Sequence, residues 1–175
     1  MSDTLITVIA IFLAGILMFV FPLMTVSNTQ DDISQVAVQS LVSEFVNNAA
    51  TKGKITRDDF NDFETKLYAT GNTYDIELEV KKLTVNPNKG QTEQLGESLY
   101  YSVFNQDIDE AINGENHEYL MKKGDYIICT VKNTNTTMAS QIKNFAFKII
   151  GKDTYTIAGS ASALVVNDGI SGTAN

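Results

Sequence analysis

The 175-residue sequence has no tryptophan, one cysteine, one histidine and two prolines. A lone cysteine, Cys129, excludes an internal disulfide and a cysteine-built zinc site. A lone histidine, His117, excludes a histidine cluster. The most uneven shortage is of positive charge. All 13 basic residues lie at or beyond Lys52, and the first 51 residues carry only four charged side chains: Asp3, Asp31, Asp32 and Glu44. Net charge is −8, which argues against nucleic acid as a partner, because phosphate backbones are bound mainly by Lys and Arg. The other 124 residues carry 13 basic and 17 acidic groups, a net of only −4. The chain therefore joins two different polymers.

The first is apolar. Residues 5–24 read LITVIAIFLAGILMFVFPLM, with no charge and Thr7 as the one polar side chain. About 20 such residues, rising about 1.5 Å each, cross a hydrocarbon core. A soluble buried helix of this kind would need a larger core than the rest of the chain supplies. A cleavable signal peptide would need a basic start and a small-residue cleavage site, and neither is present. Residues 1–26 are therefore expected to form a transmembrane helix. Neither flank carries Lys or Arg, so the positive-inside rule gives no orientation.

The polar stretch TVSNTQDD follows, whose Thr, Ser and Asn side chains favour local bonds over a helix interior. Asp31 or Asp32 can then cap a second helical stretch. Residues 27–53 are expected to be an amphipathic extension ended by Gly53. Its apolar stripe is Ile33, Val36, Ala37, Leu41, Phe45 and Ala49, widened by Val38, Val42 and Val46. As one helix from about residue 4 to 50, the segment would be about 70 Å long, more than twice a bilayer core. Pro22 removes one helical hydrogen bond and should kink or loosen the helix there.

Residues 54–168 read as a small α+β head, and residues 169–175 as a loose tail. Thr56 caps a helix whose buried face is Phe60, Phe63, Leu67 and Tyr68, with a stop at Gly71. Alternation over TYDIELEVKKLTV marks a strand, apolar on one face and charged on the other. The loop NPNKGQTEQLGES places Asn86, Asn88, Thr92 and Glu97 like calcium ligands. Its Gly90 is displaced from the required position and it holds no Asp, so no calcium site is assigned. LYYSVFNQDIDEAING reads as a short helix with Tyr100, Val103, Phe104, Ile108 and Ile112 inward and Asp107, Asp109 and Glu110 on its solvated side. DYIICTVKN is a second strand in which Cys129 is a small buried hydrophobe. MASQIKNFAFKII is an amphipathic helix with Met138, Ile142, Phe145 and Ile149 on one face. DTYTIAGSASALVV is a third strand, whose small residues allow close approach of another element. Asn135-Thr136-Thr137 forms a sequon, weak evidence by itself.

The expected fold is therefore α+β. A long N-terminal membrane or filament helix is followed by an antiparallel sheet of about three strands and two to three helices. There is no Gly-rich phosphate loop, no G-x-S-x-G and no HExxH. No catalytic, cofactor-binding or metal-binding residue is assigned, and the chain is expected not to be an enzyme.

An apolar N-terminal helix, an amphipathic continuation and a small α+β head together resemble type IV pilins and pseudopilins. The stretch from Tyr126 to Val166, ending in IAGSASALVV, resembles the TadE-like branch of tight-adherence pilus proteins. The DDISQ and NTYDIE segments are similar to those of short Gram-positive proteins. The resemblance implies a structural subunit held in the membrane by its helix, with an extracytoplasmic head, and assembled through that helix into an extracellular filament. Its implied partners are copies of itself, membrane lipid before assembly, and pilus-assembly or secretion machinery. Ala14 and Gly15 would permit close helix approach. Pro22 stands where pilins carry a helix-loosening proline. Ile33, Val36, Leu41, Val42 and Phe45 would pack the stripe. Pilins carry a Glu five residues into the mature chain, where this sequence has Leu5. Asp3 is then the acid placed to neutralise a neighbour's N-terminal amine. A second function fits the same anchor: a monomeric single-pass component of a secretion or conjugation machine that binds a protein partner through its head.

Overall fold

A computed structural model describes residues 2–84, 99–137, 140–141 and 157–170. Helix α1, Ser2–Lys52, is continuous. Of the two arrangements open for TVSNTQDD, a new helix capped at Asp31 or Asp32 and one helix from about residue 4 to 50, the structure has the single helix, with Pro22 inside it. The reason is local. The Thr25 hydroxyl donates to the Phe21 carbonyl at 3.1 Å, and the Thr29 hydroxyl to the Thr25 carbonyl at 3.0 Å. These side chains bond back along the helix instead of competing with it. Asp31 does not cap a helix; it sits within one. Gly53, at φ +69°, ends α1, its N–H donating to the Ala49 carbonyl at 2.9 Å. A Cβ there would lie 2.3 Å from the Asn167 carbonyl oxygen, so this turn requires glycine.

The head holds β1 (Lys54–Thr56), α2 (Arg57–Tyr68), β2 (Tyr74–Thr84), β3 (Leu99–Phe104), α3 (Asn105–Asn113), β4 (Glu118–Leu120), β5 (Tyr126–Asn133) and β6 (Ala158–Leu164). β1 and β4 form a two-stranded antiparallel sheet; β3-β2-β5-β6 form a four-stranded antiparallel one. The α+β class is as expected, with six strands among the described residues in place of about three.

Three strands were legible from period and composition: β2, β5 and β6. Residues 99–113 were not. The aromatic and β-branched run LYYSVF pairs with β2 as β3, and only the residues after it are helical. Ile108 and Ile112 are buried as expected, while Tyr100 and Phe104 are exposed. Tyr68 is likewise exposed, whereas Phe63 and Leu67 are buried and Phe60 packs against the core. The Thr56 cap is present, its hydroxyl accepting from the Asp59 N–H at 3.2 Å. Gly169 donates to the Met121 carbonyl at 2.9 Å, and Lys54 Nζ to the Ile170 carbonyl at 3.1 Å, so the first two residues of the expected tail are tied down. The loop at 86–97 lies outside the described residues. So does the expected helix at 138–150, apart from Ser140 and Gln141, which are helical.

One face of the large sheet lies on the distal half of α1. Cross-strand rows run Ile76–Val131–Gly159, Leu78–Cys129–Ala161 and Val80–Ile127–Ala163. Each row shrinks towards β6, where α1 comes closest. A Cβ on Gly159 would stand 3.1 Å from Val38 Cγ1 and 3.2 Å from Val42 Cγ2. Val38, Val42, Phe45, Val46, Ala49 and Ala50 are all buried there. Each large apolar side chain so buried contributes about 1.5–3 kcal/mol. Across from the sheet, α2 packs on the same helix. Phe45 stacks on Phe63 at 4.4 Å and meets Phe60 edge-on at 6.2 Å.

The free edge of β6 is also met by α1. Gln35 accepts from the Ala158 N–H at 2.9 Å and donates to the Ala158 carbonyl. One turn on, Gln39 accepts from the Ser160 N–H at 3.3 Å and donates to the Ser160 carbonyl at 3.0 Å. Two glutamines spaced i, i+4 thus bond an edge that would otherwise invite another strand.

Candidate assembly surface on the long helix

The helix presents two surfaces, one covered and one bare. Over residues 5–24 nearly every side chain is exposed, and Ala14, Gly15 and Pro22 lie among them. A Cβ on Gly15 would meet nothing within 4 Å. Within one chain, then, no packing demand calls for a glycine there. The helix is long and apolar enough to span a membrane, with a mean hydropathy of 2.8 in its most apolar window. Asp3 is exposed in the first turn, where a carboxylate complements the helix dipole.

The expected stripe divides between the two surfaces. Val42 and Phe45 are buried in the chain's own core and Leu41 packs at its margin, whereas Ile33 is 59% and Val36 70% exposed. Helix geometry explains the split. At about 100° per residue, Val42 stands about 180° round from Ile33, and Phe45 about 180° from Val36. Contrary to the expected assembly role, Val42 and Phe45 hold the head to α1, where they are buried and not free to pack a second copy.

What remains bare is a row that spacing alone could have found. Phe12, Phe19, Val26 and Ile33 recur every seven residues and are 71%, 73%, 67% and 59% exposed. Seven residues return a helix to within about 20° of the same face. The row thus runs from the apolar half past the polar stretch and along the head. Beside its end, Ile33, Ala37 and Leu41 of α1 form an open groove with Lys66 of α2 and with Ala69 and Thr70 just after it. Lys66 closes one side of α2 against α1, 3.3 Å from Glu44 and 2.9 Å from Asp62.

On the covered side, the buried apolar stripe continues towards the N-terminus as a polar one: Ser34, Asp31 and Ser27 are buried. Asp31 Oδ2 accepts from the Thr137 hydroxyl at 2.8 Å. Thr137 in turn caps the turn at Ser140, whose N–H donates to its hydroxyl at 3.2 Å. The sequon is locked into this region. Asn135 Nδ2 donates to Asn72 Oδ1 at 2.9 Å, and Asn135 Oδ1 accepts from the Thr73 N–H at 3.0 Å.

Burial pushes the Cys129 thiol up to about 12, as a small core side chain requires. Asp107, Asp109 and Glu110 are exposed on α3, as expected. Among the described residues, no three His, Cys, Asp or Glu side chains gather closely enough to hold a metal ion. No family model, curated protein or solved structure matches the chain.

Proposed function

We propose that this chain is a pilin-like structural subunit, held in a membrane by the N-terminal half of α1 and assembled through that helix into an extracellular filament. One observation carries the proposal. The distal half of a single 51-residue helix is sealed under its own head along one face, while an apolar row from Phe12 to Ile33 stays bare. Lipid can solvate the first 20 or so residues, but it cannot reach Ile33, about 13–14 Å beyond Met24. A second copy of the same helix offers a matching row, and Gly15, about 40° round from Phe19, lets two backbones approach there. Filaments sheared from cells and imaged with an antibody to the head test this. The protein is expected along the fibres; its absence from every fibre would refute the proposal.

A second function is favoured by a different observation. Val42 and Phe45 close the head on its own helix, so this core is built from one chain. A monomeric single-pass protein whose head serves a secretion or conjugation machine has the same construction. It would leave Ile33→Ala without effect on self-association.

A further inference from the structure

We propose that the open edge of β3 docks an extended, uncharged segment of a different protein, which adds to the large sheet as a further strand. The exclusion of a second copy from that place rests on the membrane-spanning role proposed for residues 5–24.

The large sheet ends in β6 on one side and in β3 on the other. A bare edge presents a row of backbone N–H and C=O groups to any extended chain. Elsewhere the molecule closes such rows with side-chain amides. Gln35 and Gln39 bond β6. Where β3 stops, Asn105 takes over the edge of β2: its Nδ2 donates to the Ile76 carbonyl at 2.7 Å, and its Oδ1 accepts from the Leu78 N–H. Among the described residues nothing comparable meets β3, whose pairing partner is β2 alone. Its sequence, LYYSVF, also lacks the charge and the proline that blunt natural edges. Tyr100, Tyr101 and Ser102 are exposed in succession, although alternate residues point to opposite faces, and Phe104 is 61% exposed.

These side chains define what fits. A strand laid beside β3 meets Tyr100, Ser102 and Phe104 on the outer face of the sheet, and Tyr101 and Val103 on the face turned to α1. Aromatic and β-branched residues make the favourable cross-strand pairs with such neighbours. β3 offers no charge to match. On the outer face Glu79 and Lys81 of β2 pair with each other at 3.9 Å, and on the inner face Lys82 lies over the Tyr119 ring. The fitting segment is therefore uncharged and rich in aromatic and β-branched residues.

The direction of the strands excludes a second copy. β6 runs with α1, since the Ala158 N–H bonds Gln35 and the Val166 N–H bonds the Ala50 carbonyl at 3.2 Å. Three antiparallel steps then make β3 run back towards the apolar half of the helix. Antiparallel pairing of two β3 strands would point the two apolar halves in opposite directions, which one membrane cannot accept. Parallel pairing keeps them aligned but turns one copy over. The two α1 helices would then lie on opposite sides of the shared sheet, where their bare rows cannot meet. It is also the weaker ladder.

The probe is the capped peptide VTVYVT carrying a fluorophore, added to the full chain in lipid nanodiscs and followed by anisotropy. Saturable binding is expected. It should weaken several-fold when alternate peptide N–H groups are methylated, and again with the double substitution Tyr100→Lys and Tyr101→Lys. Tyr68→Ala, which removes an aromatic 51% exposed elsewhere on the head, should leave it unchanged. No saturable binding, or equal binding by the methylated peptide, would overturn the docking. So would binding that appears only after residues 85–98 are shortened, because the chain itself would then hold the edge. A substituted chain that has lost its fold is recognised by labelling of the otherwise buried Cys129. Disulfide formation at Tyr101→Cys, in a Cys129→Ala background in native membranes, tests the exclusion of a second copy; no dimer is expected. A separate Ile16→Cys variant, treated with a water-soluble maleimide, distinguishes the two ways of failing. Dimers with Ile16→Cys unlabelled would give the edge to a second copy. Dimers with Ile16→Cys labelled would mean that residues 5–24 do not span the membrane, and the exclusion would fall with that reading.

Discussion

The two halves of α1 share one backbone but differ in composition and in what their own chain covers. From residue 5 to 24 the helix is apolar nearly all round and, apart from half-buried Val20 and Met24, its own chain leaves it bare; from residue 27 onward it carries a covered face and a bare one. In the second half the covered face changes character along its length, from Ser27, Asp31 and Ser34 to Val38, Val42, Phe45 and Val46. The comparison teaches that apolar character alone does not mark a surface for a partner. Phe45 and Phe19 are equally hydrophobic, but one is held by Phe63 and the other touches nothing of its own chain that buries it.

The sharpest test of that contrast is a pair of truncations. Phe45→Ala should lower the stability of the head by about 3–5 kcal/mol, as large aromatic-to-alanine changes in cores do. Ile33→Ala should change it by less than about 0.5 kcal/mol. Denaturant unfolding of the detergent-solubilised protein, followed by near-ultraviolet circular dichroism, measures both. Equal losses would erase the distinction between the two faces.

Next in size is the closeness of β6 to the helix. Gly159→Val forces side-chain atoms into Val38 and Val42, and overpacking of this kind costs about 1–3 kcal/mol. Thermal unfolding should show it, and an unchanged midpoint would mean that the sheet is not pressed on α1. Replacing Gln39 by Leu leaves the Ser160 N–H and carbonyl without their side-chain partner. The site is exposed and water can substitute, so about 1 kcal/mol or less is expected, with faster amide exchange at Ser160 as the local readout.

The smallest effect is in pH. Partial burial alone would raise the Asp59 carboxyl, but hydrogen bonds from Lys52 and Thr56, together with the Lys52 charge, outweigh it and hold it below the usual carboxylate range. A depressed carboxyl stabilises the folded state above its unfolded value near about 4, and the contribution disappears as pH falls through the folded value. Because the pair is partly solvated, the effect should be well under about 1 kcal/mol. Asp59→Asn should flatten the acid limb of the stability curve slightly. An identical acid limb would assign Asp59 no such role.

Much of this arrangement was legible in the residues. Alternation over residues 74–84 and the Thr56 cap gave β2 and α2 because each signal is local. Small residues in β6 signalled close approach because only a missing Cβ allows it. The pairing of β3 was not legible: its six residues are apolar at spacings that also suit a helix, and only contact with β2 decides. β1 and β4, at three residues each, are too short to carry a period. The apolar stripe divides between covered and bare residues for a physical reason. Period shows how wide an apolar face is, but not which part the chain itself covers. Val42 and Ile33 look alike until the sheet is in place. Conversely, the seven-residue recurrence from Phe12 to Ile33 was present in the sequence and needed only the head's position to stand out.

Cross-linking tests most directly the claim that the bare row of α1 packs against copies of itself. Single cysteines at positions 12 to 36, in a Cys129→Ala background in native membranes, report which positions meet a second copy. The account predicts dimers cross-linked with a helical period, strongest at Gly15, Phe19, Val26 and Ile33 and absent on the buried face at Ser34. Uniform cross-linking, or none at any position in protein whose head is folded, would contradict it.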